Sequence, residues 1–158
     1  MRLLLLWGTT LALLVLARGA WAQSDDAALK AAYVYNIAQF TSWPPSAGTR
    51  PLTVCLSSAH ALWDSLRKLQ GKPVGERKFA VLEPGPGIQC DVVVLRAGAP
   101  RPAGGALAIV DEPKNGYAGA VALVEEDQHL RFDIDTGEAA RAGLRFSSRL
   151  LKLARNVR

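Results

Sequence analysis

The chain has 158 residues, of which 49% are hydrophobic and 21% are charged. This composition excludes a disordered or fibrous protein, and the length is typical of one globular domain. Its two cysteines exclude a disulfide-dense small scaffold and a four-thiolate zinc or iron–sulfur site. The formal net charge is +5, and it falls to +3 if the first 22 residues are removed, because Arg2 and Arg18 go with them.

The first 22 residues have the pattern of a secretory signal peptide. Arg2 forms a short positive region, Leu3 to Leu16 is a largely apolar run, and Ala20-Trp21-Ala22 fits the small-x-small cleavage pattern. The apolar run is shorter than the roughly 20 residues of a membrane-spanning helix, although an uncleaved inner-membrane anchor is the alternative. We predict cleavage near Ala22 and a single mature domain of residues 23–158 in an oxidising compartment, where nucleic acid is not the expected partner.

The mature chain is predicted to begin with a helix. Residues 24–26 offer N-caps, and Trp43-Pro44-Pro45 ends the helix because a residue before proline is disfavoured in the α region. The face predicted to be buried has helical spacing and consists of Leu29, Ala32, Tyr33, Asn36, Ile37 and Phe40.

Several strands and one short helix follow. Apolar runs predict strands at residues 52–56, 79–82, 91–95 and 106–110, and a hairpin formed by residues 121–124 and 130–134. Between the first two strands, a helix capped by Ser57 or Ser58 carries Leu62, Leu66 and Leu69. The valine-rich run at 91–95 is typical of a strand covered on both faces. This order predicts an α/β layered domain with a mixed, mostly parallel sheet on which N-terminal and C-terminal helices pack.

From about Gly137 the sequence predicts one C-terminal amphipathic helix. At 100° per residue, its cationic face holds Arg141, Arg145, Arg149, Lys152 and Arg155. The opposite, apolar face is expected to pack on the sheet and holds Ala139, Ala142, Phe146, Leu150, Leu153 and Val157. The cations form either an ordinary solvated face or a binding surface for an acidic partner. Leu144 and Leu151, on a flank, fit either an apolar anchor for that partner or the core.

The remaining polar residues do not form a catalytic pattern in the sequence. His60 and His129 lack acids or thiols at metal-ligand spacing, so we interpret both as solvated side chains. The acidic run at 125–127 is typical of a solvent-facing turn. Since the sequence has no nucleophile–base set and no phosphate-binding glycine motif, we predict a protein that is not an enzyme and uses no cofactor or metal.

Five segments in chain order resemble the YfiR-like family of small bacterial periplasmic proteins. They are Lys30-Ala31-Ala32-Tyr33 with Trp43-Pro44, the cysteines Cys55 and Cys90, Arg131-Phe132-Asp133-Ile134-Asp135, Ala139 to Leu144, and Ser147 to Ala154. In contrast to the family pattern, the chain lacks a second cysteine pair, and its segment 98–105 is shorter than the usual helix-bearing link.

The resemblance implies a disulfide between Cys55 and Cys90, which fall where the family has a cysteine pair. An oxidising compartment favours the same bond, while two free thiols acting as a redox sensor are the alternative. A disulfide would require the two Cα atoms to lie about 4.4–6.8 Å apart.

The resemblance also implies a function. The best-known member inhibits an inner-membrane diguanylate cyclase through that enzyme's periplasmic domain, which lowers cyclic di-GMP and biofilm formation. That member is dimeric, and an outer-membrane lipoprotein can sequester it. We expect the same of this chain, with partner binding through Arg141, Leu144, Arg145, Arg149, Leu151, Lys152 and Arg155. The alternatives are a periplasmic small-molecule-binding module, with a cleft at the carboxyl ends of the strands, and a thiol–disulfide enzyme.

Overall fold

The computed structural model describes the backbone of residues 6–158, with side chains from Ala22 onward, while residues 1–5 of the predicted signal peptide lie outside the described residues. Within this range the helices are α1 (Leu6–Gln39), α2 (Trp63–Arg67), α3 (Thr136–Arg141) and α4 (Ser148–Leu153). The strands are β1 (Thr41–Ser42), β2 (Leu52–Cys55), β3 (Pro73–Val74), β4 (Arg77–Leu82), β5 (Val92–Arg96), β6 (Leu107–Asp111), β7 (Val121–Glu126), β8 (His129–Ile134), β9 (Arg145–Phe146) and β10 (Asn156–Val157).

The strands form a mixed sheet that is mostly parallel. Among the described residues, eight strands pair in the order β10-β8-β7-β6-β5-β2-β4-β3, while β1 and β9 form a separate antiparallel pair. The central pairs are parallel, and the pairs β7–β8 and β3–β4 are antiparallel. This confirms the predicted α/β class and the predicted hairpin.

The main core lies between one face of the sheet and α1. Side chains alternate along a strand, so one face collects the buried residues of neighbouring strands, such as Phe79 in β4 and Phe132 in β8. α1 crosses this face: the Tyr33 ring lies 5.9 Å from the Phe132 ring, and the Tyr35 ring lies 5.5 Å from the Phe79 ring. α2 packs beside α1, with Leu66 in the same core.

The buried face of α1 differs from the predicted one. Ala31, Val34 and Ile37 are buried, whereas Leu29 is 47% exposed. Apolar residues occupy more than one side of this helix, so spacing alone did not determine which side meets the sheet. The helix is also continuous from Leu6 rather than beginning at residues 24–26.

The opposite face of the sheet is only partly covered. Val93 and Leu95 in β5 are half-buried, and Leu82 in β4 is 41% exposed. The prediction that residues 91–95 are covered on both faces is therefore wrong. The reason is that residues 97–106, which connect β5 to β6, form turns rather than a helix that could shield this face.

The second helix is shorter than predicted. α2 begins at Trp63, and residues 57–62 form turns in front of it, so neither Ser57 nor Ser58 caps the helix. The Ser57 hydroxyl instead accepts a hydrogen bond from the N–H of Ala59 at 3.2 Å, inside this turn. His60 consequently lies in the loop that follows β2 and not in a helix.

Candidate functional site

The segment after β8 does not form the single helix predicted from Gly137. Asp135 caps α3 by accepting a hydrogen bond from the N–H of Glu138 at 3.0 Å, and the helix ends at Arg141. Gly143 then has a φ of +73°, a left-handed conformation that glycine adopts without steric cost and that commonly ends helices.

A strand pair separates the two short helices. Phe146 in β9 lies opposite Thr41 in β1, which ties this segment to the end of α1. A new helix then starts at Ser147, whose hydroxyl accepts a hydrogen bond from the N–H of Leu150 at 3.2 Å. Because α3 and α4 are separate helices with separate axes, the single-helix projection at 100° per residue does not describe where the C-terminal cations lie.

Two of the five cations predicted to face a partner are paired with acids. Arg155 donates hydrogen bonds to Asp133 at 2.9 and 2.7 Å and to Glu126 at 3.0 Å. Arg141 donates to Glu138 at 2.7 Å. The hydrogen bonds from Arg155 lower the pKa of the Asp133 carboxyl. These two cations are therefore less available to an acidic partner than the sequence implied.

The other three cations are exposed. Arg145, Arg149 and Lys152 form no ion pair with any residue that the structure describes. Arg149 and Lys152 are neighbours on α4 because they are three residues apart, and Leu153, four residues after Arg149, is 63% exposed. We refer to Arg149, Lys152 and Leu153 on α4 as the cationic patch.

The two leucines predicted as possible apolar anchors do not lie on the exposed surface of this patch. Leu144 is 2% exposed and belongs to the core, and Leu151 is half-buried and packs against the core. Leu144 is therefore a core residue, the second of the two interpretations left open by the sequence. Leu153, which was predicted to face the core, is exposed instead, because α4 ends immediately after it and only Leu150 of this helix is buried.

Cys55 and Cys90 form the expected disulfide, with Cα atoms 5.7 Å apart. The bond links the end of β2 to the segment before β5. Next to it, Asp91 accepts hydrogen bonds from Arg50 at 2.7 and 2.6 Å, from Arg77 at 2.6 Å and from the N–H of Thr53 at 2.8 Å. This cluster fixes the amino ends of β2 and β5.

A second cluster of charges lies at the carboxyl end of the sheet. The Lys30 side chain in α1 is 5% exposed, and its ammonium contacts carboxylates of Asp26 at 3.2 Å, Asp111 at 3.2 Å and Glu112. Burial lowers the pKa of Lys30, but the hydrogen bond to Glu112 and the charge of Asp111 outweigh it, so the net pKa is raised. Burial raises the pKa of the Asp111 carboxyl, and Lys30 offsets part of that rise.

His60 lies beside this cluster and is 5% exposed, contrary to the prediction of a solvated side chain. Burial lowers the pKa of its imidazole, with the Arg96 charge acting in the same direction and the Asp111 charge against it. His129 is exposed at the hairpin, as predicted. From Ala22 to Arg158 the structure contains no group of three His, Cys, Asp or Glu side chains arranged to hold a metal ion.

Sequence reasoning missed the buried charges Lys30, Arg77 and Asp91. Each stands within or beside an apolar run. When only spacing is considered, a charged residue at such a position is expected to be exposed. Most of their partners are distant in sequence, for example Lys30 and Glu112, which are 82 residues apart. The break after α3, in contrast, had a local signal in Gly143 and Ser147.

The fold and these sites define a small α/β domain that carries a disulfide, buried charge clusters and an exposed cationic patch. A family model described as YfiR/HmsC-like matches residues 27–155, so the chain belongs to the YfiR/HmsC-like family. This confirms the resemblance found in the sequence. The family consists of periplasmic, non-catalytic regulators of cyclic di-GMP signalling.

A comparison with curated proteins finds no match to the chain. In the part of the chain that was searched, no helix combines the length and apolar character that crossing a membrane requires.

Proposed function

We propose that this protein is a periplasmic inhibitor of an inner-membrane diguanylate cyclase. After signal-peptide cleavage near Ala22, the mature domain binds the periplasmic region of the cyclase and lowers cyclic di-GMP and biofilm formation. The domain itself transforms no substrate. Membership of the YfiR/HmsC-like family over residues 27–155 is the observation that carries this proposal.

The cationic patch is the proposed contact with the cyclase. Arg149 and Lys152 are exposed side by side on α4 and have no acidic partner among the described residues, so their charges are free to meet carboxylates on another protein. Leu153 adds an exposed apolar side chain that can be buried in the same contact. Interfaces commonly combine such an apolar anchor with charged surroundings.

Inhibition requires that the protein bind one state of the cyclase better than another. A ligand shifts a conformational equilibrium only by its differential affinity for the two states. We therefore propose that the domain, as a homodimer, holds the periplasmic region of the cyclase in its inactive arrangement. An outer-membrane lipoprotein that sequesters the domain would release the cyclase.

The test is capture of the cyclase from detergent-solubilised membranes by the tagged mature protein. We compare the wild type with R149E/K152E and with the control K68E/K78E, which reverses two exposed cations outside the patch. R149E/K152E is expected to weaken capture on the order of tenfold at about 0.1 M salt, and the wild-type complex should weaken as salt rises. The control is expected to bind as the wild type does.

Two outcomes contradict different parts of the proposal. Capture by folded R149E/K152E at the wild-type level removes the cationic patch from the interface. If the wild type captures no diguanylate cyclase, and its deletion leaves cellular cyclic di-GMP unchanged, the proposed function is wrong.

A further inference from the structure

The chain contains three asparagines, and they differ in their local structure. They are Asn36 in α1, Asn115 in the loop between β6 and β7, and Asn156 in β10. All three are exposed to solvent, so exposure does not distinguish them. The residue that follows does distinguish them, because only Asn115 precedes a glycine, Gly116, while the other two precede β-branched residues.

The following residue matters because an asparagine side chain can react with the next peptide group of its own chain. The backbone nitrogen of the next residue attacks Cγ of the side-chain amide and closes a five-membered ring. A side chain on that next residue hinders the attack, and glycine has none. A β-branched residue hinders it strongly, since two heavy atoms stand on its Cβ.

The loop around Gly116 leaves the reacting atoms free. Residues 112–120 connect the two strands without a helix or strand of their own. Gly116 has a φ of +68°, and a Cβ placed on it would meet no atom within 4 Å. Neither the N–H of Gly116 nor the side-chain amide of Asn115 has a hydrogen-bond partner among the described residues. No hydrogen bond within this part of the chain therefore has to break before the ring closes.

The other two asparagines are held in regular structure. Asn36 lies within α1, where the N–H of Ile37 points along the helix axis toward a carbonyl one turn earlier. Nδ2 of Asn156 donates a hydrogen bond to Oδ1 of Asp133 at 3.1 Å, and its strand is paired with β8. The structure therefore favours reaction at Asn115 over both of them.

We propose that Asn115 is a site of spontaneous deamidation, a modification that is independent of the proposed function. The nitrogen of Gly116 loses its proton and forms a bond to Cγ of Asn115, while the Cγ–Nδ2 bond breaks and ammonia leaves. Water then opens the resulting succinimide at either of its two carbonyls, which gives aspartate or isoaspartate. One water is consumed and one ammonia is released, and no group is oxidised or reduced.

The modification changes both charge and backbone in this loop. The product adds a carboxylate next to Lys114 and, in the isoaspartate form, one methylene to the main chain. Both ends of the loop are fixed by the sheet: the N–H of Glu112 donates to the carbonyl of Leu123 at 2.9 Å, and the N–H of Ala120 donates to the carbonyl of Ala108 at 3.0 Å. The converted fraction at Asn115 thus records the age of a folded molecule.

The test is peptide mapping by mass spectrometry of the folded mature protein after incubation for several weeks at about 37 °C and pH 8. A zero-time sample corrects for conversion during digestion. The peptide with Asn115 should gain about 1 Da and separate into aspartate and isoaspartate forms. Peptides with Asn36 and Asn156 should convert at least about tenfold more slowly. If Asn115 converts no faster than these two, the proposal is wrong.

Variants identify the reacting atoms. G116V places a β-branched side chain after Asn115 and should slow conversion at least about tenfold. The matched control G98V, at another exposed loop glycine with a φ of +78° and open space around it, should convert as the wild type does. Wild-type conversion in folded G116V would overturn the proposal.

N115Q decides alone if G116V does not fold, because it retains the loop glycine. Isoaspartate, detected by methyl transfer from S-adenosylmethionine with a protein isoaspartyl methyltransferase, should accumulate in aged wild type and not in aged N115Q. Equal accumulation in the two proteins contradicts the assigned site, whatever the result of cyclase capture.

Discussion

Arg77 donates a hydrogen bond from Nη2 to Oδ2 of Asp91 at 2.6 Å, and the side chains are only 7% and 6% exposed. The partners of Asp91 compensate for the burial of its charge: Arg50, Arg77 and the N–H of Thr53 all donate to the carboxylate. Removal of the Asp91 carboxylate leaves the buried Arg77 guanidinium without an anion, which is strongly destabilising.

The first prediction follows from this ion cluster. D91N should lower the free energy of unfolding by about 3–5 kcal/mol, because it leaves the Arg77 guanidinium buried without an anion. R50Q should cost less, since the Arg50 side chain is 31% exposed and water can replace part of its contact. Urea unfolding followed by circular dichroism measures both, and an equal loss in the two variants would contradict this account.

The second prediction concerns the disulfide. C55S/C90S should lose roughly 3–4 kcal/mol of unfolding free energy, since the bond closes a loop with a sequence separation of 35 residues in the unfolded chain. Wild-type protein unfolded in the presence of a phosphine reductant is the control and should lose a similar amount. Thiol labelling of the native, unreduced protein would show that the bond is absent.

The third prediction distinguishes the broken C-terminal segment from a continuous helix. L150A should cost about 2–5 kcal/mol, because Leu150 is 3% exposed in the core. L153A should change stability by no more than about 0.5 kcal/mol, because Leu153 is 63% exposed. A continuous amphipathic helix would bury both leucines. Thermal and chemical unfolding of the two variants therefore tests the structure of this segment, and comparable losses would favour the continuous helix.

The fourth prediction is a pH dependence of stability. Burial lowers the pKa of His60 below its unfolded value of 6.5, so the unfolded chain binds the proton first as the pH falls. The contribution of His60 to stability is therefore complete above pH 6.5 and is lost as the pH falls through the lower, folded pKa. Lys30, Arg96 and Asp111 surround His60. The pKa of Asp111 is raised in the folded protein, so its protonation on acidification increases stability and opposes the effect of His60.

The comparison of wild type and H60N isolates the contribution of His60. Unfolding free energies are measured at pH 7.5, 6.5 and 5.5. The wild type should lose more stability than H60N over this range, because the variant has no imidazole to protonate. Parallel pH profiles would mean that His60 titrates alike in the folded and unfolded states.

Local sequence signals predicted much of the fold. The strands β2, β4, β5 and β6 and the hairpin β7–β8 were found from apolar runs and a polar turn, since these patterns depend on neighbouring residues alone. The C-terminal segment was predicted as one helix because its apolar residues recur at helical spacing. That spacing does not reveal that Phe146 pairs with Thr41, more than 100 positions earlier.

The sequence by itself determined the α/β class, the succession of the main strands along the chain, the family and the two cysteines that form the disulfide. Only the tertiary structure decided which charges are buried, that Leu144 lies in the core while Leu153 is exposed, and that His60 and Arg96 line the same cavity. The physical reason is the distance along the chain between the residues that interact. Strand and turn formation depends on residues close along the chain, whereas burial and ion pairing depend on distant segments that meet only when the sheet assembles.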